Sequence, residues 1–307
     1  MIVDLPSTST ATVSKRLISL RDDVGAMALG RVLTLVIVVD EALVDAAVDI
    51  ANEASRQHPC RVIALVQANA RGTARLDAQI RVGGDAGASE VVVLRMYGAL
   101  AKQGRSVATP LLLADSPIVV WWPGDSPADP SGDPIGAMAQ RRITDAAAAK
   151  RPHRRLAELA QNYADGDTDL AWTRITLWRA RLAAALDQPP FEKVESAVVT
   201  GAGDSPSAYL LAAWLEHALK TPVRIESVAS GSGIVGVRLE RASGPIELTR
   251  PRGNSATLIA AGQPDRQIAL PHRSDAECLA DELRRLDADE VYAEALVKGL
   301  PKLTQRR

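Results

Sequence analysis

The chain has 307 residues, 47% of them hydrophobic and 24% charged, with a formal net charge of −1. That length carries two domains with cores of their own, and the balanced charge excludes a global field that would draw the chain to nucleic acid or a membrane. Cys60 and Cys278 lie far apart with no CxxC or Cys/His spacing, which argues against a disulfide framework or a zinc site and fits a reducing compartment.

Residues 1–20 contain no apolar signal core, and the most apolar run, 32–39, is too short to span a bilayer, so a cytoplasmic protein is expected. A Ser/Thr-rich arm at 7–12 precedes a short helix within 14–24, where Leu17 and Leu20 stand at i, i+3. The β-branched run 31–40 reads as a central strand buried on both faces. Residues 41–57 then show helical spacing up to His58-Pro59, and 61–66 reads as a second buried strand, so the pair should run parallel. An edge strand is expected at 76–82 and further strands at 90–95, 118–122 and 141–145. Short helices or turns fill 110–114 and 135–140, and a Pro/Asp loop fills 125–134. Strands alternating with helices imply a doubly wound, mostly parallel α/β sheet, a Rossmann-like domain over 1–165.

Residues 146–160 are Ala-rich and basic and lead to a central helix beginning near 167. Asp167 or Thr168 is its expected cap, with Asp169 against the positive end of the dipole. Ala171, Ile175, Trp178 and Leu182 share one face of that helix, and Trp172 and Arg179 share a stripe beside it. Arg174 and Arg181 flank the other side. Aromatic and aliphatic residues at this spacing serve a core as readily as a surface. The second domain, 166–300, is expected to add a strand at 195–200, a helix at 205–220 and an antiparallel meander of five short strands between 223 and 270. Two acidic helices close it, one at about 275–286, the other starting at Asp287 with Glu290 three on and ending at Gly299. Residues 301–307 form a basic tail.

Chemical signatures are sparse. The sequence has no GxxxxGK[ST], GxSxG or HExxH, and none of its four His stands at ligand spacing to another His or Cys. The Gly-rich 83–88 precedes a strand, whereas a phosphate loop follows one, so it reads as a turn. Asp40 and Asp145 follow strands, where α/β sites collect, although Asp40 also suits a helix cap. Trp121 and Trp122 end a strand and point to opposite faces, one to the core and one toward the crevice. Arg141, Arg142 and the basic run to Arg155 could gather near the interdomain seam with the arginines of the central helix. Such a cluster could anchor a protein partner, bind a sugar phosphate, or be a solvated patch.

Several segments together resemble the OpcA family, the glucose-6-phosphate dehydrogenase assembly proteins of actinobacteria and cyanobacteria. They are MIVDLP (1–6), GRVLTL (30–35), LDAQ (76–79), EVVVLR (90–95), WWP (121–123), RRITD (141–145), GDTDLAWTRIT (166–176) with Trp178-Arg179, and LRRLDADE (283–290). The actinobacterial branch fits best. The resemblance runs nearly the whole length, in order. It implies a non-catalytic protein, without cofactor or metal, that binds glucose-6-phosphate dehydrogenase, favours its active oligomer and supports the oxidative pentose phosphate pathway. The residues to carry partner binding or the interdomain seam are then Trp121, Trp122, Arg141, Arg142, Asp167, Asp169, Trp172, Arg174, Trp178 and Arg179. The alternative of a different class is a sugar-phosphate-binding α/β protein or enzyme, which rests on the first domain and the arginines.

Overall fold

The computed structural model describes residues 1–24, 32–56, 58–82, 90–229 and 233–304. The Gly-rich turn expected at 83–88 and the end of the basic tail lie outside the described residues. The chain is a mixed α/β protein. Its strands are β1 (Ile2–Leu5), β2 (Leu33–Val39), β3 (Cys60–Gln67), β4 (Arg75–Arg81), β5 (Glu90–Tyr97), β6 (Ile118–Trp121), β7 (Arg141–Thr144) and β8 (Asp167–Asp169), then β9 (Ser196–Ala202), β10 (Val223–Val228), β11 (Ile234–Glu240), β12 (Ile246–Thr249), β13 (Ser255–Ala260) and β14 (Arg266–Ala269). The main helices are α1 (Thr10–Val24), α2 (Val44–Ser55), α3 (Gly104–Ala108), α4 (Pro152–Gln161), α5 (Leu170–Thr173), α6 (Thr176–Leu186), α7 (Pro206–Leu219), α8 (Asp275–Arg284), α9 (Glu290–Ala293) and α10 (Leu300–Thr304).

The chain divides into two compact units, and not at a single cut. The first holds Met1–Asp145, Ala164–Thr168 and Asp275–Ala288; the second holds Ala146–Tyr163, Asp169–Ser274 and Asp289–Arg307.

Among the described residues, the first unit is built on an eight-stranded sheet in the order β1-β4-β5-β3-β2-β6-β7-β8. The strands β5, β3, β2, β6 and β7 run parallel to one another, β4 is antiparallel to β5, and β1 is antiparallel to β4. All seven residues of β2 are buried, which is why its sequence is a continuous apolar run and not an alternation. The strand expected at the edge, β4, is not the edge. Its alternation reports burial on one face, and β1 pairs outside it from Ile2↔Arg81 to Leu5↔Ala78. At the opposite margin Gly166 has φ +90, and a Cβ there would lie 2.2 Å from the carbonyl oxygen of Gln140. Only glycine lets β8 come alongside β7, where the Arg142 N–H donates to the Gly166 carbonyl. The acidic helix α8 packs on α2 and buries Cys278, Leu279, Glu282 and Leu283 on its inner face, while Glu277 and Arg284 are exposed.

The second unit carries a six-stranded sheet in the order β10-β9-β11-β12-β13-β14, counted among the described residues. The expected meander holds for β11 to β14, but β10 runs parallel to β9, because α7 is the crossover between them. Leu210, Leu211 and Leu215 of α7 share a core with Val199, Val237 and Leu248 of the sheet.

Two expectations about helices are corrected. The central helix is two short ones, α5 and α6, broken at Arg174-Ile175, and 167–169 is strand. Thr173, Ile175 and Thr176 crowd the turn with β-branched side chains, and the Thr176 hydroxyl donates to the Thr173 carbonyl at 2.8 Å, competing with the helical ladder. The cap is Asp169, whose side chain accepts from the Ala171 N–H, in place of Asp167 or Thr168. At the C-terminus Asp289 caps α9, not Asp287. The chain does not stop at Gly299: a π-helical turn, Glu294–Gly299, leads straight into α10. A Cβ on Gly299 would lie 2.2 Å from the Ala213 carbonyl oxygen, so this glycine permits close packing on α7 and does not end a helix.

Candidate partner-binding site

The ten residues singled out in the sequence fall five and five into the two units: Trp121, Trp122, Arg141, Arg142 and Asp167 in the first, Asp169, Trp172, Arg174, Trp178 and Arg179 in the second.

In the first unit the arginines of β7 are spent internally. Arg141 is 3% exposed; its guanidinium binds the Glu282 carboxylate and donates at 2.7 Å to the Asp287 carbonyl. Arg142 is 6% exposed and binds the Asp167 carboxylate and the carbonyls of Ala139 and Asp165. A buried arginine is tolerated only when its donors are met in this way. Burial pushes the Asp167 carboxyl above the ordinary aspartate value, against the bonds it accepts from Arg142 and Ala164. Trp121 is buried. Trp122 lines a cavity at the carboxyl ends of β2, β3 and β6.

In the second unit the aromatic residues form two Arg/Trp stacks. The Arg179 guanidinium lies 3.6 Å from the centroid of the Trp172 ring. Trp172 is 1% exposed, its Nε1 donates to Asp289 at 2.8 Å, and its ring meets Tyr292 at 5.7 Å. Arg250 lies 5.2 Å from the Trp178 ring and donates to the Leu270 carbonyl at 2.8 Å. Arg250 also reaches His272 Nδ1 at 3.4 Å; burial and then this cation hold the His272 pKa below the ordinary histidine value. Asp169 is fully buried, accepting from the N–H groups of Ala171 and Ala146. Arg174 and Arg179 are the half-exposed members.

Sequence reasoning missed Asp289, Tyr292, Arg250 and His272. All four stand more than 60 residues beyond the helix they complete, where no local spacing could signal them. Among the described residues, no group of three or more His, Cys, Asp or Glu could hold a metal ion, and no helix is long and apolar enough to cross a membrane.

Residues 51–161 match the family model described as the glucose-6-phosphate dehydrogenase subunit N-terminal domain, and residues 165–296 match the C-terminal domain of the same subunit. Two α/β modules in this order define the class, a two-domain glucose-6-phosphate dehydrogenase subunit protein. The two matches span most of the chain, and it belongs to the OpcA family of glucose-6-phosphate dehydrogenase assembly proteins. No curated protein matches it. Among solved structures, an oxidoreductase from Sinorhizobium meliloti is similar in fold at 12% identity and a TM-score of 0.51, covering 89% of this chain and 95% of that one. Glucose-6-phosphate 1-dehydrogenase from Mycobacterium avium aligns at 12% identity with a TM-score of 0.44, over 90% of this chain and 92% of that one.

Proposed function

We propose that this chain is a non-catalytic assembly factor and allosteric activator of glucose-6-phosphate dehydrogenase. It binds the enzyme in the cytoplasm, favours its active oligomer and thereby supports the oxidative pentose phosphate pathway and NADPH supply. The observation that carries this reading is the ordered match of both modules to domains described as a subunit of that enzyme. An activator of this kind must bind the active oligomer more tightly than the inactive form, because only differential affinity moves the equilibrium. We take the first sheet as a doubly wound, Rossmann-like platform, and the edge of the Trp172 stack as part of the docking surface. Arg179 stacks on that ring, Arg174 and Arg179 are both half-exposed, and arginine beside aromatic residues is the usual composition of an interface anchor.

The test is the steady-state rate of the cognate dehydrogenase titrated with this protein. A saturable rise is expected, with KM and kcat changes separating ground-state binding from the catalytic step. A flat response without co-elution on a sizing column overturns the function. Replacing Arg174 and Arg179 together by Ala should raise the half-saturating concentration about tenfold or more while circular dichroism is unchanged. Full activation by that folded double variant removes the docking assignment and leaves the function standing.

A further inference from the structure

The cavity beside Trp122 is not used by the assembly reading, and the inference drawn from it does not depend on that reading. It lies where β2 pairs with β3 on one side and β6 on the other, with β5 beyond β3 and β7 beyond β6. The chain therefore departs from β2 in both directions, and in open α/β sheets the crevice at the carboxyl ends of the strands around such a split is where ligands bind. The cavity has a volume of about 220 Å³, and its polar lining is Asp40, Gln67, Asp125, Ser126 and Asp133, with Trp122 as a wall.

The loop over it is built rigidly. Asp129 accepts from the Gly132 N–H at 2.8 Å and the Ser131 hydroxyl at 3.0 Å. Asp133 accepts from the N–H groups of Ile135 and Gly136 at 2.8 and 3.1 Å. Ser126 is 4% exposed, and its Oγ has no hydrogen-bond partner. Buried hydroxyls are nearly always bonded, so this Oγ is a polar group able to serve a bound molecule. Asp40 stands at the cap position of the turn after β2, yet its side chain makes no cap bond.

The charge of the lining decides the ligand class. A nucleotide-binding turn offers glycines and free N–H groups to phosphate. Here the turn reads Asp40-Glu41-Ala42-Leu43-Val44-Asp45, with no glycine and three carboxylates. Glu41 is held by Arg95 and Asp45 by Arg81. Asp40, Asp125 and Asp133 line the cavity, and the lining contains no Lys, Arg or His. Phosphate is repelled from such a field and cations are concentrated in it. We infer that this cavity binds a small organic cation, an ammonium or guanidinium on an aliphatic stem. Asp40 is the counter-ion, Ser126 Oγ accepts one of the cation's N–H groups, and Trp122 packs the stem.

The cation could arrive as a free amine or as a basic side chain of another protein, and the probes separate the two. Calorimetric titration of the full chain at low salt would use agmatine, putrescine and N-acetyl-arginine amide, with ADP-ribose and inorganic phosphate as anions. Saturable binding of agmatine or putrescine supports the inference with a free amine as source. Binding of the capped arginine alone supports it with a protein side chain as source. Asp40→Asn, at an exposed position, should keep the melting temperature and weaken binding about tenfold or more, and Ser126→Ala should weaken it by a smaller factor. The inference is overturned if no cationic probe binds, if Asp40→Asn binds as well as the native chain, or if ADP-ribose or phosphate binds in place of the cations.

Discussion

Arg141 and Arg142 are adjacent, both buried, and served by carboxylates 141 and 25 residues away respectively. The sequence marks them as cations at a strand, but their partners have no local signature, so a basic patch and a pair of internal ion pairs look alike in one dimension. Removing one member leaves a buried charge without its main partner, which is the costly error. Arg141→Ala should therefore destabilise the protein by about 3–5 kcal/mol in urea unfolding, whereas the double replacement Arg141→Met with Glu282→Leu should recover most of the loss. His272 supplies a pH test at the same scale. Its pKa is held below 6.5 by burial and by Arg250, so the folded state favours the neutral ring. Its contribution to stability is present above about pH 6.5 and is lost as pH falls through the lower folded value, because the unfolded chain takes the proton first. NMR titration should place His272 below the ordinary histidine value, and Arg250→Gln should move it upward.

Elements were legible where burial is expressed as apolar pattern. The strands β2, β3 and β5 carry apolar runs at 35–39, 62–66 and 91–94, and β10 and β12 begin and end where the alternation does. They were illegible where polar residues hold the structure. The strand β8 is Asp-Thr-Asp, buried throughout and fixed by Arg142 and by the Thr144 hydroxyl donating to the Thr168 carbonyl at 3.1 Å. No hydrophobic period announces such a strand. The same gap explains why one central helix was expected where two stand, since helical spacing continues across Arg174-Ile175 while the backbone does not. Asp169 joins the end of β8 to the start of α5 by accepting at 2.9 Å from Ala171 and at 2.8 Å from Ala146. Asp169→Ala removes both bonds from buried N–H groups and should cost about 2–4 kcal/mol in denaturant unfolding. Asp169→Asn keeps one good acceptor and should cost roughly half as much. For the candidate cluster, spacing displayed Trp172 and Arg179 side by side, while Asp289 and Tyr292, which complete the stack, could be found only in three dimensions.

At the scale of the whole molecule, the first unit is assembled from three separate stretches of chain. A fragment ending at residue 165 lacks β8 and α8, and with them the carboxylates of Asp167 and Glu282. It should show no cooperative thermal transition by circular dichroism, and adding a synthetic peptide of residues 275–288 should restore part of one. A composition-based cut sees none of this, because a change of texture along the chain shows where one stretch ends and not where a later stretch returns. The return also sets an order of events during synthesis. At ribosomal rates of about 5–20 residues per second, Glu282 follows Arg141 by roughly 7–30 s. For that interval β7 has left the ribosome with its arginine still awaiting its carboxylate. The first unit, although it begins the chain, cannot close before the bulk of the second has been made. The nascent protein therefore exposes an unfinished sheet margin for nearly half of its translation, and a ribosome-bound chaperone or an early-arriving partner subunit would find it there.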